Sequence, residues 1–172
     1  MIRDAQRKLG HAVADAFWTH AALYVGDGEI VEANWDRDLD DNPVSRVAVS
    51  TYVPHAYIRR RTMPDLSEKM QQAVADQADL RCGEDYSLLA AIDIYIKAQL
   101  RQFSRVAPPF VLRRSARGLV CADIVSTSYD HVLRRPAFAN TDDDIVVPAT
   151  LSATGELEDA EIAWCTIPDK SN

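Results

Sequence analysis

A short turn between two β-prone runs is the feature of this sequence that most constrains its fold. Gly26-Asp27-Gly28 separates the run from His20 to Val25 from the run Glu29 to Ala33. Asp-Gly between two such runs is a strong short-range signal of a β-hairpin. In an antiparallel pair that turns near residue 27, position 20 falls opposite position 33 or 34. The sequence therefore predicts that His20 and Glu32 lie on neighbouring strands and close together.

A cysteine far downstream lies at the predicted beginning of a helix. The segment Cys121 to Leu133 carries apolar residues at helical spacing and is closed by Arg134-Arg135-Pro136. Cys121 is therefore expected in the first turn, where the helix dipole and free N–H groups favour a thiolate and can bind an oxyanion. A thiol nucleophile needs a base, and an imidazole oriented by a carboxylate meets that need. We take Cys121, His20 and Glu32 as the candidate catalytic residues.

The remaining patterns predict a mixture of helices and strands. Apolar spacing and turn residues predict helices at 4–17, 62–80, 86–103 and 121–133, further strands at 46–50, 56–61 and 162–167, and acidic loops at 35–43 and 140–144. The stripe of the 86–103 helix is expected to face the core; it comprises Leu89, Ile92, Ile96, Leu100 and Phe103. This order predicts a single α+β domain over residues 1–172, in which a small antiparallel, partly closed sheet packs against helices.

The charge balance limits the classes of partner. The formal net charge is −7 and the pI is near 5.0, which argues against nucleic acid or an anionic membrane surface. The basic run Arg59-Arg60-Arg61 is expected to be solvated, with binding of a substrate carboxylate as the alternative. No apolar run approaches the ~20 residues of a membrane span, and the first residues lack a signal-peptide core. A cytoplasmic location without stable membrane insertion is expected.

The cysteines indicate neither a disulfide framework nor a zinc site. Cys82, Cys121 and Cys165 are odd in number and show no paired metal-ligand spacing, so reduced thiols are expected. Cys82 and Cys165 lie in apolar or helix-end contexts that favour a structural role. The acidic segment 35–43 lacks the glycine and the terminal glutamate of a calcium loop. Neither a metal nor a cofactor is predicted.

The motifs around His20 and Cys121 resemble those of a known family. The pattern T-H-x-A-L-Y-V-G-D-G-x-I-V-E-A, followed downstream by C-A-D-I-V, is similar to that of the circularly permuted papain-like cysteine hydrolases of the NlpC superfamily, in particular the YiiX/YebB-like branch. The resemblance covers roughly residues 18 to 167. It includes a Gly83-x-x-Tyr86 step before a long helix and the segment Val147-Pro148-Ala149.

The resemblance implies a fold, a site and an activity. The fold is a permuted papain-like one, in which the histidine strand precedes the nucleophile helix. The family's cysteine falls on Cys121, its histidine on His20, its third polar residue on Glu32, and a recurrent tyrosine near the site on Tyr86, which we take as a substrate-binding residue. The implied activity is hydrolysis of an amide bond in a peptide-like substrate, such as a cell-wall peptide that contains γ-linked D-glutamate.

Two alternatives from other classes stay open. Related permuted proteins transfer acyl groups on lipids with the same cysteine and histidine, so a lipid acyltransferase or thioesterase is one of them. The other is a non-catalytic module that binds a peptide at the same site. The reactivity of Cys121 towards an alkylating agent separates a thiol enzyme from a binding module.

Overall fold

The computed structural model describes residues 2–34, 44–53, 57–86, 91–92, 94–96, 99, 119–138 and 146–160. Its helices are α1 (Ile2–Lys8), α2 (Glu68–Asp79), α3 (Cys121–Leu133) and α4 (Pro148–Ala153); its strands are β1 (Leu23–Gly26), β2 (Glu29–Ala33), β3 (Val44–Ala48), β4 (Arg61–Thr62) and β5 (Glu158–Asp159). Short 3-10 turns occupy Asp15–Phe17 and Val49–Thr51. The described residues between 91 and 99 are helical. This mixture of helices and antiparallel strands confirms the α+β class.

The predicted hairpin is present. β1 and β2 are antiparallel, with Leu23 opposite Val31, and the turn holds Asp27 and Gly28 at φ of 50° and 76°. These left-handed conformations are the ones that a tight hairpin turn requires, which explains the Asp-Gly pair. β1 begins three residues later than predicted, so His20 lies in the segment that leads into the strand. The same register, continued backwards, places position 20 opposite position 34, as expected.

β2 is the central strand of a three-stranded sheet in the order β1-β2-β3. The strand predicted at 46–50 is found at Val44–Ala48, and Glu32 of β2 pairs with Ser45. The strand predicted at 56–61 is reduced to β4, which pairs with β5 in a separate two-stranded sheet. The described strands therefore form two sheets, and the expectation of one small sheet is wrong for them.

Contacts of the basic run 59–61 explain why β4 pairs with β5 and not with the three-stranded sheet. Arg59 donates two hydrogen bonds to the carboxylate of Asp159, at 2.7 and 3.0 Å. The guanidinium of Arg61 donates to the backbone carbonyls of Leu151 and Ser152, at 2.7 and 2.8 Å. These charge-assisted contacts tie the segment to α4 and β5. The expectation that the run is solvated is therefore wrong for these two arginines.

Two predicted helices begin or end elsewhere for local reasons. The helix expected over 4–17 stops at Lys8, because Gly10 adopts a left-handed φ of 93° and turns the chain. The helix expected over 62–80 begins only at Glu68, where the side chain of Ser67 accepts a hydrogen bond from the Met70 N–H. The helix predicted at Cys121–Leu133 is confirmed with its bounds.

The core lies between α2, α3 and the three-stranded sheet. α2 packs on β1, and α3 packs on both α2 and β2. The most buried apolar side chains come from all three layers and include Val31, Val44, Ala78, Ala122 and Ile124. Within the described ranges, no helix has both the length and the apolar character needed to cross a membrane.

Part of the face that was predicted to pack in the core is exposed, and several other predictions fall outside the described residues. Ile92 and Ile96, from the stripe of the 86–103 helix, are 42% and 43% exposed, so the expectation that they face the core is wrong. Helical spacing fixes which side chains share a face, but not whether another element covers that face. Most of that helix, the loops at 35–43 and 140–144, and the strand at 162–167 with Cys165 lie outside the described residues.

A buried glutamine connects the N-terminal helix to the segment that precedes His20. Gln6 is 1% exposed, and its Nε2 donates to the carbonyls of Trp18 at 2.8 Å and Ala16 at 3.3 Å. Its Oε1 accepts a hydrogen bond from the Ala149 N–H at 2.8 Å, in α4. Because one side chain satisfies backbone groups of two distant segments, it fixes the path of the chain into His20.

Replacement of this glutamine tests the connection. Gln6→Leu keeps a similar volume but leaves buried backbone groups unsatisfied, so we expect the free energy of unfolding to fall by about 1–3 kcal/mol. Gln72→Leu, at an exposed position of α2, is the matched control and should change it by less than about 0.5 kcal/mol. Urea unfolding followed by circular dichroism measures both. Equal small effects would show that Gln6 does not hold this junction.

Candidate active site

His20 and Glu32 form a hydrogen-bonded pair at the edge of the core. Nε2 of His20 lies 2.7 Å from Oε2 of Glu32. The Glu32 side chain is fully buried, whereas 35% of the His20 side chain is exposed. Because an ionised carboxylate only accepts hydrogen bonds, it holds the proton on Nε2 and leaves Nδ1 for another contact. The pair thus has one buried end and one end open to solvent.

A tyrosine that the sequence analysis did not single out also contacts this carboxylate. The Tyr52 hydroxyl donates to the same Oε2 of Glu32, at 2.5 Å. Tyr52 follows the 3-10 turn after β3, and its ring stacks near the His20 ring with centroids 6.2 Å apart. Short 3-10 turns have no periodic apolar pattern, so the sequence offered no signal for this contact.

Cys121 is the first residue of α3, and its side chain is partly exposed. Its thiol lies close enough to the His20 ring to raise the pKa of that ring. The first turn of α3 is fixed by Asp123, whose carboxylate accepts the Val120 N–H at 3.1 Å. The structure therefore brings the three predicted residues together. His20 is hydrogen-bonded to Glu32, and Cys121 lies near His20 at a helix N-terminus.

Backbone contacts hold the cysteine segment against the sheet. The Gly83 N–H donates to the carbonyl of Val44 at the start of β3, at 2.9 Å. Two residues later, the Asp85 carbonyl accepts the N–H of Leu119 at 3.0 Å, and Tyr86 forms an isolated parallel bridge with Leu119. Because Leu119 lies two residues before the cysteine, these bonds connect the sheet that carries Glu32 to the first turn of α3.

Tyr86 lies beside the cysteine, as expected. Its ring is partly buried and packs against the core. Burial and the nearby charges of Cys121 and Asp123 raise the pKa of Tyr86 to about 12. The phenol therefore keeps its proton at neutral pH and is available as a hydrogen-bond donor near the sulfur.

The surroundings of His20 favour its charged form. Burial alone would lower its pKa, but the hydrogen bonds and the negative charges of Cys121 and Glu32 outweigh burial and raise the pKa from 6.5 to about 9. The ring is therefore protonated at neutral pH. An imidazolium next to a sulfur stabilises the thiolate, which is the form of cysteine that reacts.

The second described cysteine has a different environment. Cys82 is exposed and lies just after the end of α2, the helix-end position that was predicted for it. Partial desolvation and the charge of Asp79 raise the pKa of its thiol, against an opposing effect of Arg46. Among the described residues, no group of three His, Cys, Asp or Glu side chains is placed to hold a metal ion.

No protein-family model, no curated protein and no solved structure matches this chain. The resemblance to the permuted cysteine hydrolases therefore stays a prediction from the motifs around His20 and Cys121. What the site can do chemically follows from its own contacts, burial and charge.

Stability should depend on the protonation of His20. The folded state raises its pKa from 6.5 to about 9, so the resulting stabilisation is fully present below about pH 6.5 and is lost as the pH rises through about 9. We expect the difference in urea midpoint between the wild type and His20→Gln to be largest below pH 6.5 and to shrink towards pH 9. His131→Gln, at an exposed position of α3, is the control. A difference that grows with pH would contradict the assigned charge.

Proposed function

We propose that this protein is a thiol-dependent hydrolase that cleaves an amide bond in a peptide-like substrate. The observation that carries the proposal is the position of His20, which is hydrogen-bonded to the buried Glu32 and lies near Cys121. A nucleophile, a base within hydrogen-bond reach and a third group that orients the base are the parts that such catalysis needs. The resemblance of the surrounding motifs adds the peptide-like substrate class, with cell-wall peptides as the implied example.

The same resemblance supports a finer description of the fold. In the proposed permuted papain-like arrangement, the segment with the histidine comes before the nucleophile helix. The chain has this order, because His20 leads into β1 and Cys121 begins α3. The packing of α3 on α2 and β2 supports this arrangement.

The first half-reaction uses the two ring nitrogens in different roles. Nε2 is held by Glu32, so we assign the contact with the sulfur to Nδ1. The thiolate of Cys121 attacks the carbonyl carbon, and the carbonyl π electrons move onto oxygen. Nδ1–H of His20 then gives its proton to the amide nitrogen, the C–N bond breaks, and the amine leaves. A thioester with Cys121 and a neutral imidazole remain.

The second half-reaction reverses the proton transfer. Water gives a proton to Nδ1 of His20 as its oxygen attacks the thioester carbonyl. The C–S bond then breaks, which releases a carboxylic acid and restores the thiolate–imidazolium pair. Glu32 keeps its charge throughout and stabilises the imidazolium at the start and end of the cycle.

Two donors near the sulfur are suited to the oxyanion formed in both halves. The first N–H groups of α3 have no intrahelical acceptor, and the N–H of Cys121 is the first of them. The protonated hydroxyl of Tyr86 is the second donor that we propose, because it lies near Cys121 and holds its proton well above neutral pH. Tyr86 is in this view a substrate-binding residue that also contacts the developing charge.

The reactivity of the two described cysteines tests the proposal. At about pH 6, we expect iodoacetamide to alkylate Cys121 much faster than Cys82, because His20 stabilises the Cys121 thiolate while partial desolvation and Asp79 raise the pKa of the Cys82 thiol. His20→Ala should remove this preference. Peptide mass spectrometry after timed labelling gives both rates in one sample.

Equal, slow labelling of the two cysteines would favour the binding module over a thiol enzyme. On any substrate that the protein hydrolyses, Cys121→Ala should lower kcat/KM by roughly 10³-fold or more, whereas the matched Cys82→Ala should leave it unchanged. Full activity of Cys121→Ala would refute the assignment of the nucleophile.

A further inference from the structure

Tyr52 is a second hydrogen-bond partner of Glu32, beside His20. Its hydroxyl and Nε2 of His20 meet at the same atom, Oε2 of Glu32, at 2.5 and 2.7 Å. That carboxylate is fully buried, and a buried charge persists only where hydrogen bonds or opposite charges compensate it. Tyr52 therefore supplies a second donor to the charge that holds the histidine.

The geometry fixes the direction of the Tyr52 hydroxyl. Nδ2 of Asn34 lies 3.4 Å from the phenol oxygen and donates to it. With that oxygen accepting from Asn34, the hydroxyl hydrogen points to the carboxylate, which has no hydrogen to give when it is ionised. Asn34 directly follows β2, the strand that carries Glu32. The residue that orients the Tyr52 hydroxyl is therefore adjacent in sequence to the strand of the carboxylate.

The backbone around Tyr52 is anchored to the hairpin. The Val49 N–H donates to the carbonyl of Gly28 at 2.8 Å, and the Tyr52 N–H donates to the Val49 carbonyl at 3.0 Å. The Tyr52 ring is inclined by 26° to the His20 ring at a centroid distance of 6.2 Å. One side chain thus binds the carboxylate and lies along one face of the imidazole.

From these contacts we infer that Tyr52 is a positioning residue of the candidate active site: it keeps Glu32 ionised and aimed at His20, and so maintains the thiolate–imidazolium pair. The inference rests on the proposed function of Cys121 and His20. Tyr52 acts only through Glu32 and the imidazole, and no contact with the sulfur is part of its role. The charged and titratable groups that meet at this point are Glu32, His20, Cys121 and Tyr52 itself, and Tyr86 and Asp123 lie on the far side, near Cys121.

The test is the pH dependence of Cys121 alkylation in Tyr52→Phe. This variant keeps the ring and removes the hydroxyl, so Glu32 takes up a proton more readily and loses its hold on His20 at a higher pH. We expect the acid limb of the alkylation profile to move up by about one pH unit, so that the rate at any pH on that limb falls about tenfold. Tyr24→Phe, at an exposed tyrosine of β1, is the matched control and should follow the wild type.

Three results separate the possibilities. A shifted acid limb in Tyr52→Phe, with a smaller shift in the same direction in the milder variant Asn34→Ala, supports the inference. Wild-type profiles in both variants overturn it while leaving the proposed function intact. A wild-type protein whose Cys121 labels no faster than Cys82 refutes the proposed function, and the positioning role falls with it. The urea midpoint of each variant and the alkylation rate of Cys82 in the same molecule serve as folding controls. If both stay at the wild-type value, a change at Cys121 reflects the site and not a loss of folding.

Discussion

The hydrogen bond between His20 and Glu32 is the interaction on which the rest of the site depends. The carboxylate is fully buried in the central strand of the sheet, where an uncompensated charge would cost several kcal/mol. His20 and Tyr52 both donate to one of its oxygens. The same bonds that make the buried charge tolerable also fix the tautomer and orientation of the imidazole. Stability of the core and orientation of the imidazole therefore have a common origin.

Apolar packing of α3 holds the Cys121 sulfur near His20 and Glu32. α3 buries Ala122, Ile124 and Val125 against α2 and β2, and each large apolar side chain contributes about 1.5–3 kcal/mol by leaving water. This packing leaves little freedom for the helix N-terminus, and the Leu119 bridge to Tyr86 fixes the last residues before it. A rigid framework thus holds the three polar side chains close together, where separate flexible loops would not.

Local patterns predicted the hairpin and α3, while contacts between distant segments escaped prediction. Both signals act within a few residues: the turn Gly26-Asp27-Gly28 indicates the hairpin, and the apolar spacing after Cys121 indicates α3. The register of the hairpin then predicts that His20 lies near Glu32. Tyr52 meets Glu32 only because the chain folds back after β3, and Gln6 meets Ala149 across most of the sequence. Arg61 likewise does not lie in the predicted sheet, because its guanidinium donates to a backbone carbonyl of a distant segment. Such polar partners carry no periodic signal.

The charge of His20 is the central claim, and a titration of its ring tests it most directly. Two-dimensional NMR that correlates ring protons with ring nitrogens reports the pKa of each histidine in the wild type and in Cys121→Ala. The account predicts a pKa of about 9 for His20 in the wild type and a lower value once the sulfur is removed. A wild-type pKa near the ordinary 6.5, unchanged in Cys121→Ala, would contradict it.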